Sequence, residues 1–346
     1  MIALKRRIAA FKQLASWLIE EDYSLNDNLI KLENIVATAH VSNPWFTQRN
    51  VRQALTAIGN SILQGKFEKW IEPYTDHLLT SKNQKTIAVI NAGNIPAVGF
   101  HDFLCVLMAG HHYLGKLSSD DREILPELAS LLINIEPGFG EQITFTSEQI
   151  KTFDAVIATG SNNTSRYFDY YFGKYPNIIR KNRNGIAILN GNESREELCA
   201  LGSDIFSYFG MGCRNVSKLY IPENYKFDAL FESLEVYEPV LDVYKYKNNY
   251  DYYKSIYLVN GIQHYDNGFV LATQNESISS PPSVLYYEVY SDLASLAAKI
   301  ATVKDQIQCV VGSINDLTDV YFGDAQKPEL WDYADGVDTL KFLISL

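Results

Sequence analysis

Apolar residues recur at helical spacing in the first part of the chain and in short unbroken runs after it. Ile8, Phe11, Leu14, Leu18 and Ile19 are separated by Lys and Gln, which predicts an amphipathic helix over residues 2–20. Residues 50–63 repeat the pattern. Ser42-Asn43-Pro44 ahead of them reads as a helix start, with Asn43 as the cap and Pro44 at the first helical position. At Thr86 the spacing changes. Thr86–Ile90 is a short, β-branched, apolar run of the kind that forms a buried strand. A helix is expected over 97–109, a strand over 112–117, a helix over 122–135, strands over 142–145 and 153–158, and a helix over 165–172. Alternation of strand and helix predicts a parallel, doubly wound α/β sheet.

A second α/β unit begins near Gly185. It is expected to hold a strand at 186–189, a helix at 195–209 and a strand at 218–222. Further strands are expected at 256–259, 269–272, 284–290, 307–312 and, last, 337–346. The expected organisation is a helical lead-in and dinucleotide-binding domain over 1–185, a catalytic domain over 186–325, and a tail over 326–346 that supplies an oligomerisation strand, hence a homo-oligomer. There is no internal repeat.

Composition narrows the function. Hydrophobic residues make up 47% and charged residues 21%, as in ordinary globular enzymes. The net charge of −11 repels phosphate backbones, so a nucleic-acid partner is not expected, and any polyanionic ligand must be met by local cations. The four cysteines form no CxxC pair, which argues against a zinc cluster and a disulfide scaffold. His111-His112 is adjacent and lacks a third ligand, so it reads as structural, and no metal is expected. No run approaches the roughly 18 apolar residues of a membrane span. The N-terminus lacks the apolar core of a signal peptide, and a cytoplasmic location with reduced thiols is expected.

Ligands on doubly wound sheets sit beyond the carboxyl ends of the strands. Asn91–Pro96 and Thr159–Asn162 fall there, and neither contains GxGxxG. Cys213 lies in a turn behind Gly210 and Gly212, where glycine lets a ligand approach the backbone, and Arg214 adds a charge that favours thiolate. The alternative is a small buried hydrophobe, the reading given to Cys105, Cys199 and Cys309. Asn94 either caps the next helix, which sequence alone favours, or points its amide at an oxyanion. Lys116 either holds a phosphate or ribose hydroxyl or is a solvated strand end. His101 and His264 are candidate acid–base groups. The tyrosines between 237 and 257 read as packing, with an acyl channel as the second reading.

Taken together these segments resemble a family. Phe209-Gly210-Met211-Gly212-Cys213-Arg214-Asn215-Val216-Ser217-Lys218-Leu219-Tyr220 is similar to the nucleophile segment of the LuxC-type long-chain fatty acyl-CoA reductases, within the aldehyde dehydrogenase superfamily. Asn91–Pro96 resembles the superfamily's segment bearing the oxyanion-binding Asn. Lys116-Leu117-Ser118 stands in the place of its cofactor-contacting Lys-Pro-Ser, and Thr159-Gly160-Ser161 in that of its Gly-Ser turn against the nicotinamide cofactor. Ser280–Val284 falls where the superfamily has Glu-x-Phe-Gly-Pro. The resemblance runs from about residue 86 to residue 312.

The resemblance implies an aldehyde-dehydrogenase-like fold and an NADPH-dependent reduction of acyl-CoA, or another acyl-carrier thioester, to a fatty aldehyde. Cys213 would carry the acyl group and Asn94 would bind the oxyanion. Lys116, Ser118, Gly160 and Ser161 would contact the cofactor, Lys116 at its 2′-phosphate. An acyl-protein synthetase is the implied partner. Two departures stand out. Residues 179–185, in the place of the general-base Glu-Leu-Gly-Gly-Lys segment, hold no Glu, which disfavours hydrolysis of an acyl-enzyme. The Glu that holds the nicotinamide ribose is missing from the Pro281 segment. An acyl-transfer protein without reductase activity, and a reductase of a smaller activated acyl group, are the alternatives.

Overall fold

The computed structural model describes residues 2–80, 83–160 and 162–346. The chain divides into two compact units, Met1–Lys181 with Pro328–Leu346, and Asn182–Lys327. The first opens with helices α1 (Leu4–Leu18), α2 (Ile30–Ser42), α3 (Gln48–Ile62), α4 (Lys66–Ile71) and α5 (Thr75–Thr80). The expected start at Asn43 is not one. Asn43 ends α2, its Oδ1 accepting from Trp45 N and its Nδ2 donating to Asp120 O, and α3 is capped instead by Thr47, which accepts from Asn50 N at 3.2 Å.

The sheet of this unit is β3-β2-β1-β4-β5, parallel throughout. Its strands are β1 (Thr86–Ile90), β2 (His112–Lys116), β3 (Ile143–Thr146), β4 (Ala155–Thr159) and β5 (Asn177–Arg180). Helices α6 (Phe100–Met108), α7 (Ile124–Ile135) and α8 (Asn162–Phe172) connect them. Period-two alternation sorts the strand residues between two faces. Ile87, Val89, Ala155 and Ile157 join the large core built with α1, α3, α6 and α7. Ala88, Val156 and Ala158 face the other way, under Phe153, Phe168 and Phe172. That second face is thinly covered. The passage from β3 across β2 and β1 to β4 is a coil, residues 147–154, with no helix in it. Three strand spacings are about 14 Å, and eight extended residues reach about 27 Å, so the coil can make the crossing unaided.

The C-terminal segment returns to this unit as α13 (Thr339–Ile344), a helix where a final strand was expected. Leu340 and Leu343, three apart, are fully buried, and Asp338 caps the helix by accepting from Lys341 N. Arg180, at the end of β5, donates two hydrogen bonds to Asp102 of α6 (2.6 and 2.8 Å) and one to Thr339 Oγ1 (2.9 Å). His111 bonds Leu343 O through Nε2 at 2.9 Å. Packing therefore claims the tail as core.

The second unit holds a six-stranded sheet, β11-β6-β7-β10-β9-β8, parallel except for the β8–β9 pair. Its strands are β6 (Asn184–Ile188), β7 (Val216–Pro222), β8 (Tyr265–Asp266), β9 (Leu271–Gln274), β10 (Val284–Tyr290) and β11 (Ile307–Val311). Helices α9 (Arg195–Phe206), α10 (Asp228–Leu234), α11 (Tyr244–Asn260) and α12 (Leu293–Thr302) pack around it. The strand expected at 256–259 is instead the last turn of α11. Tyr246, Tyr250 and Tyr257 recur on one buried helical face, and Gly261, at φ 62°, supplies the left-handed residue that ends the helix.

Candidate active site

All four cysteines are thiols, but their settings differ. Cys105 and Cys309 are buried. Burial pushes the Cys105 thiol well up and the Cys309 thiol up to about 12, so neither supplies thiolate near neutral pH. Cys199 is half-buried and Cys213 is exposed.

Cys213 stands in a loop between α9 and β7 whose shape follows from the residues around it. Tyr208, Phe209 and Gly210 take φ values of 51°, 58° and 77°, three successive left-handed residues of which two carry Cβ. Each such non-glycine residue costs about 1–2 kcal/mol. Burial holds them there: Tyr208 and Phe209 are nearly inaccessible, and the Phe209 ring lies 6.1 Å from that of Tyr246. The turn follows the end of α9, and beyond it Gly212 stays buried while Cys213 comes to the surface. Asn215, 1% exposed, then takes the chain back in. Its Nδ2 donates to the carbonyls of Asp204, Ile205 and Ser207, and its Oδ1 accepts from Gly212 N.

Neighbouring elements close on the loop from two sides. Gly185 N donates to Asn215 O at 2.9 Å, and a Cβ on Gly185 would stand 2.6 Å from Arg214 O. Arg214 Nε donates to Ala325 O at 2.6 Å. Asp204 accepts from Gly323 N (2.7 Å) and Ala325 N (3.0 Å), and its burial lifts its carboxyl to about 6. Arg214 therefore spends part of its guanidinium on a carbonyl rather than lying wholly open to a ligand.

The other candidates lie in the first unit, at the carboxyl ends of β1, β2 and β4. Asn94 is half-buried in the turn after β1. It does not cap α6, which begins six residues later at Phe100, with Gly99 at its N-cap and no side-chain cap. That turn is fixed by Asp121, whose carboxylate accepts from Ala97 N (2.9 Å) and Ile124 N (3.4 Å) and is lifted by burial to about 6. The turn after β2 packs against it: a Cβ on Gly93 would stand 2.4 Å from Ser118 Oγ. Asn91 ties both turns together by donating its main-chain N–H and side-chain amide to Lys116 O. Asn94 and Ser118 are thus on adjoining turns. Gly160 N donates to Arg180 O, and a Cβ there would press on Phe168 and Thr164 at 3.0 Å. Ser161 lies outside the described residues.

Lys116 faces a cavity of about 400 Å³ on the thinly covered side of the sheet. Ile90 and Phe168 form part of its lining, Tyr171 stands at α8, and Lys151 and Lys174 join Lys116 around it. The helix-free 147–154 crossing supplies one wall of this space through Ile150, Lys151 and Phe153. Three ammonium groups around aromatic rings, in a chain of net charge −11, suit a ligand with phosphates and a flat ring. Lys151 and Lys174 carry no motif, and only folding brings them to Lys116.

The histidine candidates are not in either place. His101 is half-buried, its pKa lowered by desolvation, and bonded through Nε2 to Leu330 O. His264 is bonded to Ile262 O and lies 5.5 Å from the Tyr257 ring.

Compared by sequence, no protein family and no curated protein matches the chain. Solved structures do match. Aldehyde dehydrogenase 21 from Physcomitrella patens, determined with the reaction product succinate, aligns over 99% of this chain and 84% of its own at 12% identity, with a TM-score of 0.66. The fold is that of the aldehyde dehydrogenases. The Mycobacterium tuberculosis aldehyde dehydrogenase complexed with NAD+ aligns over 92% of this chain and 77% of its own (13% identity, TM-score 0.60). The aldehyde dehydrogenase KauB from Pseudomonas aeruginosa aligns over 89% and 76% (12% identity, TM-score 0.60). At these identities the likeness is one of fold, and the fold expected from the sequence is the fold observed.

Proposed function

We propose that the chain is an NADPH-dependent oxidoreductase that reduces a long-chain acyl thioester, acyl-CoA or an acyl carrier, to the fatty aldehyde through an acyl group held on Cys213. The observation that carries the reading is the exposed Cys213 thiol on a built, left-handed loop of an aldehyde-dehydrogenase fold. The choice of acyl-CoA over free aldehyde rests on the likeness of residues 209–220 to the LuxC-type reductases.

Cys213 Sγ, as thiolate, attacks the acyl carbonyl carbon. The new C–S bond forms as the carrier thiolate leaves, which conserves the thioester and needs no redox step. Asn94 is the oxyanion donor in this reading, a group typically worth about 3 kcal/mol. A nicotinamide cofactor, when bound, supplies the hydride that takes the Cys213 thioester to the aldehyde level. Lys116, with Lys151 and Lys174, would hold its phosphates, and the Tyr171 and Phe168 rings would give it apolar surface to pack on. Cys213 sulfur is the leaving group when aldehyde is released, and regains its proton as the thiol.

Residues 177–185 contain no carboxylate, and Arg180 among them is engaged with Asp102. No general base for hydrolysis is supplied from that stretch, which favours reduction over release of free acid. The test is NADPH consumption with tetradecanoyl-CoA, with aldehyde measured as product. Equal molar amounts of NADPH lost and aldehyde formed, abolished in Cys213→Ser, support the reading. Activity that rises as the acyl chain shortens transfers the assignment to a smaller acyl group, and oxidation of aldehyde to free acid overturns it.

A further inference from the structure

Four hydrogen bonds from one buried amide span the two ends of the Cys213 loop. Asn215 Nδ2 donates to Asp204 O at 3.0 Å, Ile205 O at 3.3 Å and Ser207 O at 2.9 Å, and Oδ1 accepts from Gly212 N at 2.8 Å. The three carbonyls lie at the end of α9, where a helix leaves its last acceptors without partners. The N–H of Gly212 is the backbone group one residue ahead of Cys213. The main chain of Asn215 adds two bonds, its N–H to Gly212 O at 3.1 Å and its C=O from Gly185 N at 2.9 Å. A carboxamide donates two hydrogens and accepts on the other atom, which carboxylate and hydroxyl side chains of this size do not do together.

We infer that Asn215 is the positioning residue of the candidate nucleophile: its amide locks Gly212 to the end of α9 and so sets the backbone on which Cys213 is presented. The inference rests on the reading of Cys213 as nucleophile. Asn215 is remote from solvent and acts through Gly212, not on substrate. Asn215→Asp turns a donor into a carboxylate oxygen facing three carbonyl oxygens. Asn215→Ala leaves those carbonyls and the Gly212 N–H without their partner. Either change unties Gly212 from the end of α9, and the sulfur moves with the loosened backbone.

The test is the rate at which iodoacetamide alkylates Cys213, located by peptide mass, measured across the thiol titration range in the whole protein. Asn215→Ala and Asn215→Asp are compared with wild type. Asp102→Asn serves as a control that weakens the other unit without touching the loop. A positioning role changes the Cys213 rate about tenfold or more and displaces its pH profile in both Asn215 variants. Asp102→Asn lowers the melting temperature and leaves both unchanged. Asn215 variants that melt lower yet keep the wild-type rate and profile overturn the inference and leave Asn215 a packing residue. Amide exchange in wild type decides the matter if neither variant folds: slow exchange at the Gly212 N–H upholds the clamp, and fast exchange there overturns it. The readout needs no substrate. Wild-type Cys213 that alkylates but never accepts an acyl group sinks the functional reading while the clamp stands.

Discussion

Asp204 is a carboxyl group in a place that favours its protonated form, although two main-chain N–H groups point at it. Desolvation outweighs those bonds and lifts it from 3.8 to about 6. Between those values the folded chain holds more protons than the unfolded one, so stability falls as pH rises through the window. A shift of about two units corresponds to on the order of 3 kcal/mol. Asp204→Asn removes this titration. The stability of wild type minus that of the variant should therefore drop by that order between pH 4 and pH 7 in denaturant melts, and a flat or rising difference would refute the assignment. Gly185 makes a steric prediction at the same scale. Its Cβ would meet two loop carbonyls, Arg214 O at 2.6 Å and Asn215 O at 2.9 Å, and main chain yields less readily than a side-chain tip. Gly185→Ala should cost about 1–3 kcal/mol and slow acylation of Cys213, measured by melting and by acyl loading. Asn94→Ala should lower the acylation rate about 10²–10³-fold if its amide binds the oxyanion. An unchanged rate would return Asn94 to a structural role in its turn.

Elements show which parts of the fold were legible and why. Strands β1, β4, β6, β7 and β11 announce themselves as short apolar runs because they are buried, and helices α1, α3, α7 and α9 through one-sided apolar spacing. Two apolar runs misled. Residues 256–259 and 337–346 look like strands in isolation, but tertiary packing decided otherwise. The first is the end of a tyrosine-faced helix, the second a helix whose Leu340 and Leu343 complete the core of the first unit. Helix α2 and strand β5 went unread, β5 because Asn177 and Arg180 dilute its two isoleucines. Among the candidate residues, Cys213, Asn94 and Lys116 stood out by motif. Asn215, Asp204 and Asp121 act by burial and hydrogen bonding, which no local spacing reveals, and Lys151 and Lys174 reach Lys116 only in the fold. The Asp102–Arg180 pair, joining α6, β5 and α13, was equally invisible, with partners 78 residues apart. Asp102→Ala would leave a guanidinium buried beside Thr339 and should cost about 3–5 kcal/mol. A loss below about 1 kcal/mol would mean that Arg180 finds water instead.

Across the whole molecule, the two units carry separate parts of the proposed reaction: a phosphate-suited cavity in the first and the thiol in the second. Loading of the acyl group and its reduction should therefore be separable by mutation. Lys116→Ala should raise the Michaelis constant for NADPH while leaving acyl loading in the absence of cofactor untouched, and equal loss of both would break the assignment. The central claim is that Cys213 becomes acylated and that NADPH discharges it. Intact-protein mass after mixing with tetradecanoyl-CoA, with and without NADPH, tests both halves at once. The account predicts one hydroxylamine-labile acyl group on wild type, none on Cys213→Ser, and its loss as aldehyde when NADPH is added. An acyl group that NADPH leaves in place would contradict the reductase and point to an acyl-transfer protein, and a chain that never gains the mass would contradict Cys213 as the nucleophile for this substrate.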